Sequence, residues 1–200
     1  MNEIEFRSFG KIPRLFRDIV ITEKIDGTNA AVGVQLWTAD KEPRNDLTVI
    51  PGTSGDLYAV YAQSRNRIIT PDADNFGFAQ WVEDHAPILV DTLGKGLHYG
   101  EWWGQGIQRG YGLTEKRFSL FNTHRWYDVD LTAVDGLGVV PTLYQGPFST
   151  DDVVYALNVL NTAGSLAAPG FLNPEGVCVY HSASKQVFKY TVDDTAKSAA

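Results

Sequence analysis

Residues 18–37 read DIVITEKIDGTNAAVGVQLW, and the architecture follows from how they are divided. Ile19 and Ile21, then Ala30, Val32, Val34 and Leu36, alternate with other residues at the two-residue period of a strand. Between them, Asp26-Gly27-Thr28-Asn29 is made of turn formers. The stretch predicts two strands around a turn, with Lys24 at the end of the first.

Outward from this unit, residues 38–56 read as a loop around a short strand, and Leu57 to Gln63 as strand. Asn75 to Leu93 has a helical pattern, with Phe78, Trp81, Val82 and His85 on one face; Pro87 breaks or kinks it and Gly94 ends it. Leu97 to Trp103 and Phe118 to Tyr127 read as strands, while 128–147 gives no clear pattern. A second helix begins at Thr150, a capping residue type, with Asp151 and Asp152 in its first turn and Val153, Val154, Leu157 and Leu160 on one face. Gly164 ends that helix, and 176–182 with 186–192 form a closing hairpin. Strands outnumber helices and turns join them, so the expected class is α+β with mainly antiparallel sheets, not a Rossmann fold.

A chain of 200 residues suits one domain with a real core. The expected domain is 1–192, followed by a frayed tail over 193–200. The residues after Tyr190 are too few for a further domain, which needs at least about 40. No apolar run approaches the roughly 18 to 20 residues that cross a bilayer, and the N-terminus is not a signal peptide. One cysteine, Cys178, excludes an intramolecular disulfide and a Cys-rich zinc site. These features predict a cytoplasmic protein without membrane attachment, and no protein partner is evident. The net charge of −7 argues against nonspecific coating of nucleic acid but leaves room for a basic pocket on an acidic body.

Several residue groups could carry chemistry. Thr22-Glu23-Lys24-Ile25-Asp26-Gly27 sets a lysine at a strand end before a glycine turn. Its plain reading is an exposed hairpin lysine. Its functional reading is a nucleophile held by the strand, which attacks only as the neutral amine. Ser64-Arg65 follows a strand, and Tyr99-Gly100-Glu101-Trp102-Trp103-Gly104 puts a carboxylate in an aromatic strand. Phe118-Ser119-Leu120-Phe121-Asn122, Glu175-Gly176-Val177-Cys178-Val179 and Lys185-Gln186-Val187-Phe188-Lys189-Tyr190 complete the set. Singly, each fits a surface or core role. The run Gly104-Gln105-Gly106-Ile107-Gln108-Arg109-Gly110 has GxGxxxG spacing and follows no βαβ pattern, so it is not a dinucleotide loop. The four histidines form no HExxH-type pair, so no structural metal is expected.

Taken in order, these elements resemble the covalent nucleotidyltransferase superfamily of ATP-dependent DNA ligases, RNA ligases and mRNA-capping enzymes. Lys24-Ile25-Asp26-Gly27 matches its lysine-x-aspartate-glycine signature. Ser64-Arg65, Glu101, Phe118–Asn122, Glu175-Gly176 and Lys189 match the later motifs, and the likeness spans about Phe6 to Tyr190. Within the superfamily the chain looks closest to phage RNA ligases of the ligase 2 type, from Thr22-Glu23, Thr28-Asn29, Arg65…Asn75-Phe76 and residues 99–104. Phe6 to Lys11 is similar to an N-terminal segment whose lysine lies near the nucleotide. The last motif usually has two lysines one residue apart; here Val187 holds the first position, and Lys185 is the nearby substitute.

The resemblance implies a nucleotidyltransferase (ligase adenylation) fold with a nucleotide cleft, and an ATP-dependent RNA ligase. Lys24 would take AMP from ATP, pass it to a nucleic-acid 5′-phosphate, and a 3′-hydroxyl would then close the phosphodiester. It implies catalytic roles for Lys24, Lys189 and Glu175, with Glu175 also contacting Mg²⁺ or Mn²⁺. Glu23, Asp26, Gly27, Arg65, Glu101, Phe118 and Lys185 would join these three in binding ATP: Glu101 accepts from ribose, Phe118 stacks on adenine, Arg65 contacts ribose or phosphate, and Lys189 clamps the α-phosphate. Lys189 and the metal would supply a positive field that favours the neutral form of Lys24. The alternatives are a DNA ligase, a GTP-using capping guanylyltransferase and a noncatalytic nucleotide- or nucleic-acid-binding module of the same fold.

Overall fold

The computed structural model describes residues 5–38, 44–53 and 55–192. The expected tail, 193–200, lies outside them. The two strands of the opening stretch are β1 (Asp18–Lys24) and β2 (Thr28–Trp37), but they do not form a hairpin. They belong to different sheets. The Ile25-Asp26-Gly27 link therefore crosses from one sheet to the other.

The first sheet has four strands in the order β11-β10-β1-β9. Its members besides β1 are β9 (Thr142–Pro147), β10 (Gly176–His181) and β11 (Gln186–Thr191), all antiparallel. One face packs on helix α4 (Thr150–Ala163): Ile19, Ile21, Val177 and Val179 meet Ala156, Leu157 and Leu160. Ser149, one residue before the expected cap, caps that helix by accepting from the amides of Asp151 and Asp152. Val154, expected on the packed face, is 47% exposed, because α4 turns Ala156 inward instead.

The second sheet has seven strands. Around β2 lie β3 (Thr48–Pro51), β4 (Leu57–Ser64), β5 (Ile68–Ile69), β6 (Gly96–Gly104), β7 (Lys116–Leu120) and β8 (Leu137–Val139). Among the described residues only β7 and β8 pair in parallel. Ala30, Val32, Val34, Val60, Ala62, Trp102, Phe118 and Leu120 form one face of a core with helices α1 (Phe78–Asp84) and α2 (Ala86–Leu93). The break between these helices falls at His85, with Pro87 in the first turn of α2, where its missing N–H costs nothing. The helix begins at Phe78 and not Asn75, because Phe76 and Gly77 hold positive φ and the Asp74 carboxylate accepts from the Ala79 and Gln80 amides. The strand expected over 118–127 stops at Leu120. There the Asn122 side chain accepts from the Arg125 amide and starts the short helix α3 (Thr123–Trp126).

A third apolar cluster joins the sheets at one end: Ile25, Trp103, Tyr111, Val140 and Ala168. The class is therefore α+β with mostly antiparallel sheets, as expected. No helix among the described residues is long and apolar enough to cross a membrane.

Candidate active site

The alternation of side chains assigns each residue to a face. On β1, Ile19, Ile21 and Glu23 point to α4, while Thr22 and Lys24 point to the open face. Thr22 stands opposite Cys178, and Cys178 opposite Lys189, so these also share the open face. At its rim the Lys24 ammonium donates to Glu175 Oε2 at 2.5 Å, with side chains 24% and 17% exposed.

On the second sheet, Glu101 stands opposite Asn29 and Ser119, while its neighbours Gly100 and Trp102 turn to the helix-covered core. Glu101 thus points to the other open face. Burial pushes its carboxyl up to about 7, against the pull of Lys24, a hydrogen bond from the Gly27 amide and the Arg65 charge; Glu175 adds to the rise. Glu101 of the second sheet therefore lies within electrostatic reach of Lys24 and Glu175 of the first, and of Arg65 of its own sheet; the space between these groups is the candidate cleft. Cys178 lies within reach of Lys24, Glu175, Glu101 and Lys189, and burial pushes its thiol up, so it sits there as the neutral thiol. Lys24 and Glu175 pair directly, Glu101 lies within electrostatic reach of both and of Arg65, and Lys189 shares the open face with Lys24.

Two glycines are needed sterically. A Cβ on Gly27 would meet the Trp102 carbonyl oxygen at 2.5 Å and Glu101 Cγ at 2.9 Å. A Cβ on Gly176 would meet the Tyr190 carbonyl oxygen at 2.3 Å. The first lets the link pass against β6; the second lets β11 lie against the start of β10, next to Glu175.

Three expected site residues are not in the cleft. Glu23 is 1% exposed and faces away from Lys24. Its carboxylate accepts from the Ser165 hydroxyl (2.6 Å) and the Leu166 and Ala167 amides (2.8 and 2.9 Å). It anchors the loop after α4, and its bonds are spent there. Phe118 is fully buried in the helix-covered core, with its ring centroid 4.9 Å from that of Phe78. It is on the wrong face to stack on a ligand beside Glu101. Lys185 sits in the β10–β11 turn with φ 55°, its amide donating to the His181 carbonyl. Four residues at roughly 3.3 Å each put it about 13 Å along the strand from Lys189. Val187 does share the face of Lys189, so that face carries one lysine and one valine. Lys11 and its neighbours are exposed.

The nearest charged partner of Lys24 is a carboxylate, Glu175, and not the cation that the resemblance implied. Attack requires that pairing to break.

Sequence reasoning missed three residues near the site. Phe121 follows Ser119 by two, so period-two counting from Glu101 places it on the cleft face; it is 40% exposed, and its amide donates to the Tyr99 carbonyl. Arg109 and Tyr111 both reach the Asp26 turn. Arg109 Nε donates to Asp26 Oδ2 at 2.9 Å, and the Tyr111 hydroxyl accepts from the Asp26 amide at 2.7 Å. Nothing in a glycine-rich loop read by spacing announces either contact.

Among the described residues no group of three or more His, Cys, Asp and Glu side chains forms a metal cage. A lone Glu175 still fits Mg²⁺, which keeps several waters and commonly takes one or two carboxylates plus substrate phosphates.

The fold has known relatives. It is similar to structures of an RNA ligase from Naegleria gruberi: a variant with AMP and manganese gives a TM-score of 0.56 at 18% identity, over 92% of this chain and 52% of that one. A variant with ATP and manganese gives 0.53 at 16% identity, over 91% and 51%. The complex with pyrophosphate gives 0.53 at 17% identity, again over 91% and 51%. The chain spans about half the length of these structures, and at such identity the likeness is one of fold. Sequence comparison with curated proteins finds no match. The RNA ligase family profile, however, matches residues 17–191, and the chain belongs to that family.

Proposed function

We propose that this chain carries the nucleotidyltransferase domain of an ATP-dependent RNA ligase, working through a lysyl-AMP intermediate on Lys24. The observation that carries the reading is the convergence of Lys24 and Glu175, paired at 2.5 Å, with Glu101 from the facing sheet. The relatives' complexes with ATP, AMP, manganese and pyrophosphate support the same substrate, metal and leaving group here.

Lys24 Nζ, freed from Glu175 and deprotonated, attacks the α-phosphorus of ATP; the bond to the β-phosphate oxygen breaks and pyrophosphate leaves. Lys24 then passes AMP to the 5′-phosphate of an RNA strand. A 3′-hydroxyl attacks that activated phosphate and AMP departs. Mg²⁺ or Mn²⁺ held by Glu175 would neutralise phosphate charge. Lys189, on the same face as Lys24, stabilises charge on the α-phosphate oxygens during transfer. Glu101 accepts from a ribose hydroxyl once ionised, and Arg65 contacts ribose or phosphate. Phe121, in place of Phe118, supplies the aromatic platform for adenine, because it has the exposure and the face that Phe118 lacks. Asp26 and Gly27 shape the turn behind Lys24.

The test is incubation with ATP and Mg²⁺ after removal of any bound AMP, followed by mass measurement of the Lys24 peptide. One adenylyl group on Lys24, resistant to denaturation, is expected. Labelled GTP in a parallel arm, and nicked RNA and DNA duplexes in a second step, distinguish the capping and DNA-sealing alternatives. An unmodified Lys24 under these conditions sinks the reading.

A further inference from the structure

Arg109 grips two segments of the site while belonging to neither. It lies between β6 and β7, in the seven-stranded sheet's own connection. Its Nε donates to Asp26 Oδ2 at 2.9 Å. Its Nη1 donates to the Asn173 carbonyl and to Asn173 Oδ1, both at 3.0 Å, and to the Pro174 carbonyl at 3.4 Å. Asp26 is two residues past Lys24, and Pro174 immediately precedes Glu175. One guanidinium therefore links the two backbone segments that carry the Lys24–Glu175 pair. Its planar fork of donors suits this task, since several acceptors in fixed directions are met at once.

The loop that delivers Arg109 is bent at a cost. Between Gly104 and Gly112, six residues hold positive φ, and two of them, Gln108 (φ 46°) and Tyr111 (φ 53°), have side chains. Such conformations persist where surrounding contacts over-determine them. Here the contacts are plain. The buried Tyr111 ring lies between Trp103 and Phe171, with centroids 5.0 and 4.6 Å away, and its hydroxyl takes the Asp26 amide. The turn after Lys24 is thus held at its amide by Tyr111 and at its carboxylate by Arg109. Stability alone does not account for the arrangement: Arg109 and Asp26 are 25% and 27% exposed, and ion pairs that wet contribute little to folding.

We propose that Arg109 is a positioning residue for adenylyl transfer: from the β6–β7 connection of one sheet it holds the Lys24 turn and the Glu175 segment, which lie on adjacent strands of the other, at a fixed separation from Glu101. The inference rests on the ligase reading of the same site. Removing the guanidinium leaves Lys24 and Glu175 paired on their own sheet but loosely aligned with the facing one. Misplacement on the scale of 1 Å costs on the order of 10- to 100-fold in rate. The loss belongs to the maximal rate of Lys24 adenylylation, with the ATP concentration for half saturation nearly unchanged. Arg109→Lys keeps the charge but not the fork, so it recovers only part of the rate.

The experiment is a set of adenylylation time courses over a range of ATP concentrations at fixed Mg²⁺, read by intact mass. The proteins are the wild type, Arg109→Ala, Arg109→Lys, Asp26→Ala and the Asp26→Ala/Arg109→Ala double variant, each with a thermal melt. The expected result is a slowed maximal rate in Arg109→Ala with a melting temperature close to wild type. Partial recovery in Arg109→Lys, and a smaller cost of removing Arg109 once Asp26 is gone, complete the expectation. If Arg109→Ala does not stay folded, Arg109→Lys decides by the same two measures. A wild type that takes no AMP strikes at the ligase reading beneath the inference. A labelled wild type whose Arg109 variants share its maximal rate, or lose only apparent ATP affinity, overturns the inference alone.

Discussion

The open face of the four-stranded sheet presents Thr22, Lys24, Cys178 and Lys189 with Glu175 at its rim, whereas that of the seven-stranded sheet presents Tyr99, Glu101, Ser119 and Phe121. The first face carries the charges that can exchange a phosphoryl group. The second carries one half-buried carboxylate and exposed aromatics, residue types that recognise a nucleoside. Both faces are lined by strands whose opposite sides are core, so a shift of one residue would hide every functional side chain. The division of labour is therefore set by strand parity, and it can be broken one face at a time.

The largest effect belongs to the charged face. Lys24→Ala should abolish the covalent AMP altogether, because no other lysine among the described residues both ends a cleft strand and pairs with Glu175. Label persisting on another residue would reassign the nucleophile. Next, Glu175→Ala and Lys189→Ala should each fold and slow adenylylation by on the order of 10² to 10³, the scale for removing one group that stabilises transition-state charge. Lys185→Ala, at the far turn, should leave the rate at the wild-type value. Equal losses at Lys185 and Lys189 would mean that the turn reaches the nucleotide after all.

Phe118 and Phe121 sharpen the comparison on the other face. Phe118→Ala opens the core against Phe78 and should destabilise by about 3 to 5 kcal/mol. Phe121→Ala should leave the melting temperature nearly unchanged and raise the ATP concentration for half-maximal adenylylation by about tenfold, in line with about 1 to 3 kcal/mol for one base on an aromatic ring. The reverse pattern, with ATP affinity lost in folded Phe118→Ala, would return the platform to Phe118.

That pair also shows where the sequence was readable and where it was not. The period of β1 and β2, the Pro87 break, the Gly164 stop and the closing hairpin are local signals, and the structure follows them. The placement of Lys24, Glu101 and Lys189 can be read locally because each sits in a motif on its own strand, and that of Glu175 because its motif opens β10. Phe118 was misplaced because two phenylalanines three residues apart lie on opposite faces, and only pairing with Glu101's strand says which is which. Glu23 stood beside the nucleophile in sequence, yet adjacent strand residues point apart, and its partners at 165–167 are remote in the chain. The β8 and β9 strands left no pattern over 128–147, since three- and six-residue strands pairing with distant β7 and β1 have little periodicity to show. Arg109 was invisible for the same reason: its contacts lie 83 and 64 residues away.

The smallest effect separates the faces by pH. Burial holds the Glu101 carboxyl near 7 in the folded chain, against an ordinary 4.5. The folded state therefore binds this proton more tightly than the unfolded one. Its contribution to stability is fully present below about 4.5 and is lost as pH rises through about 7. Other groups titrate across the same range, so the quantity to measure is the wild-type stability minus that of Glu101→Gln, by denaturant unfolding at a series of pH values. The difference should fall between about pH 5 and pH 8 by on the order of 1 kcal/mol, discounting for water that reaches the cleft. Glu101→Gln is the right reference because its amide keeps the shape and stays neutral throughout. A nucleotide whose ribose donates to the ionised carboxylate should lower the midpoint of this fall, since binding would favour the charged form. A flat difference across the range would place Glu101 in water rather than in a partly desolvated site, and with it the assignment of recognition to that face would fail.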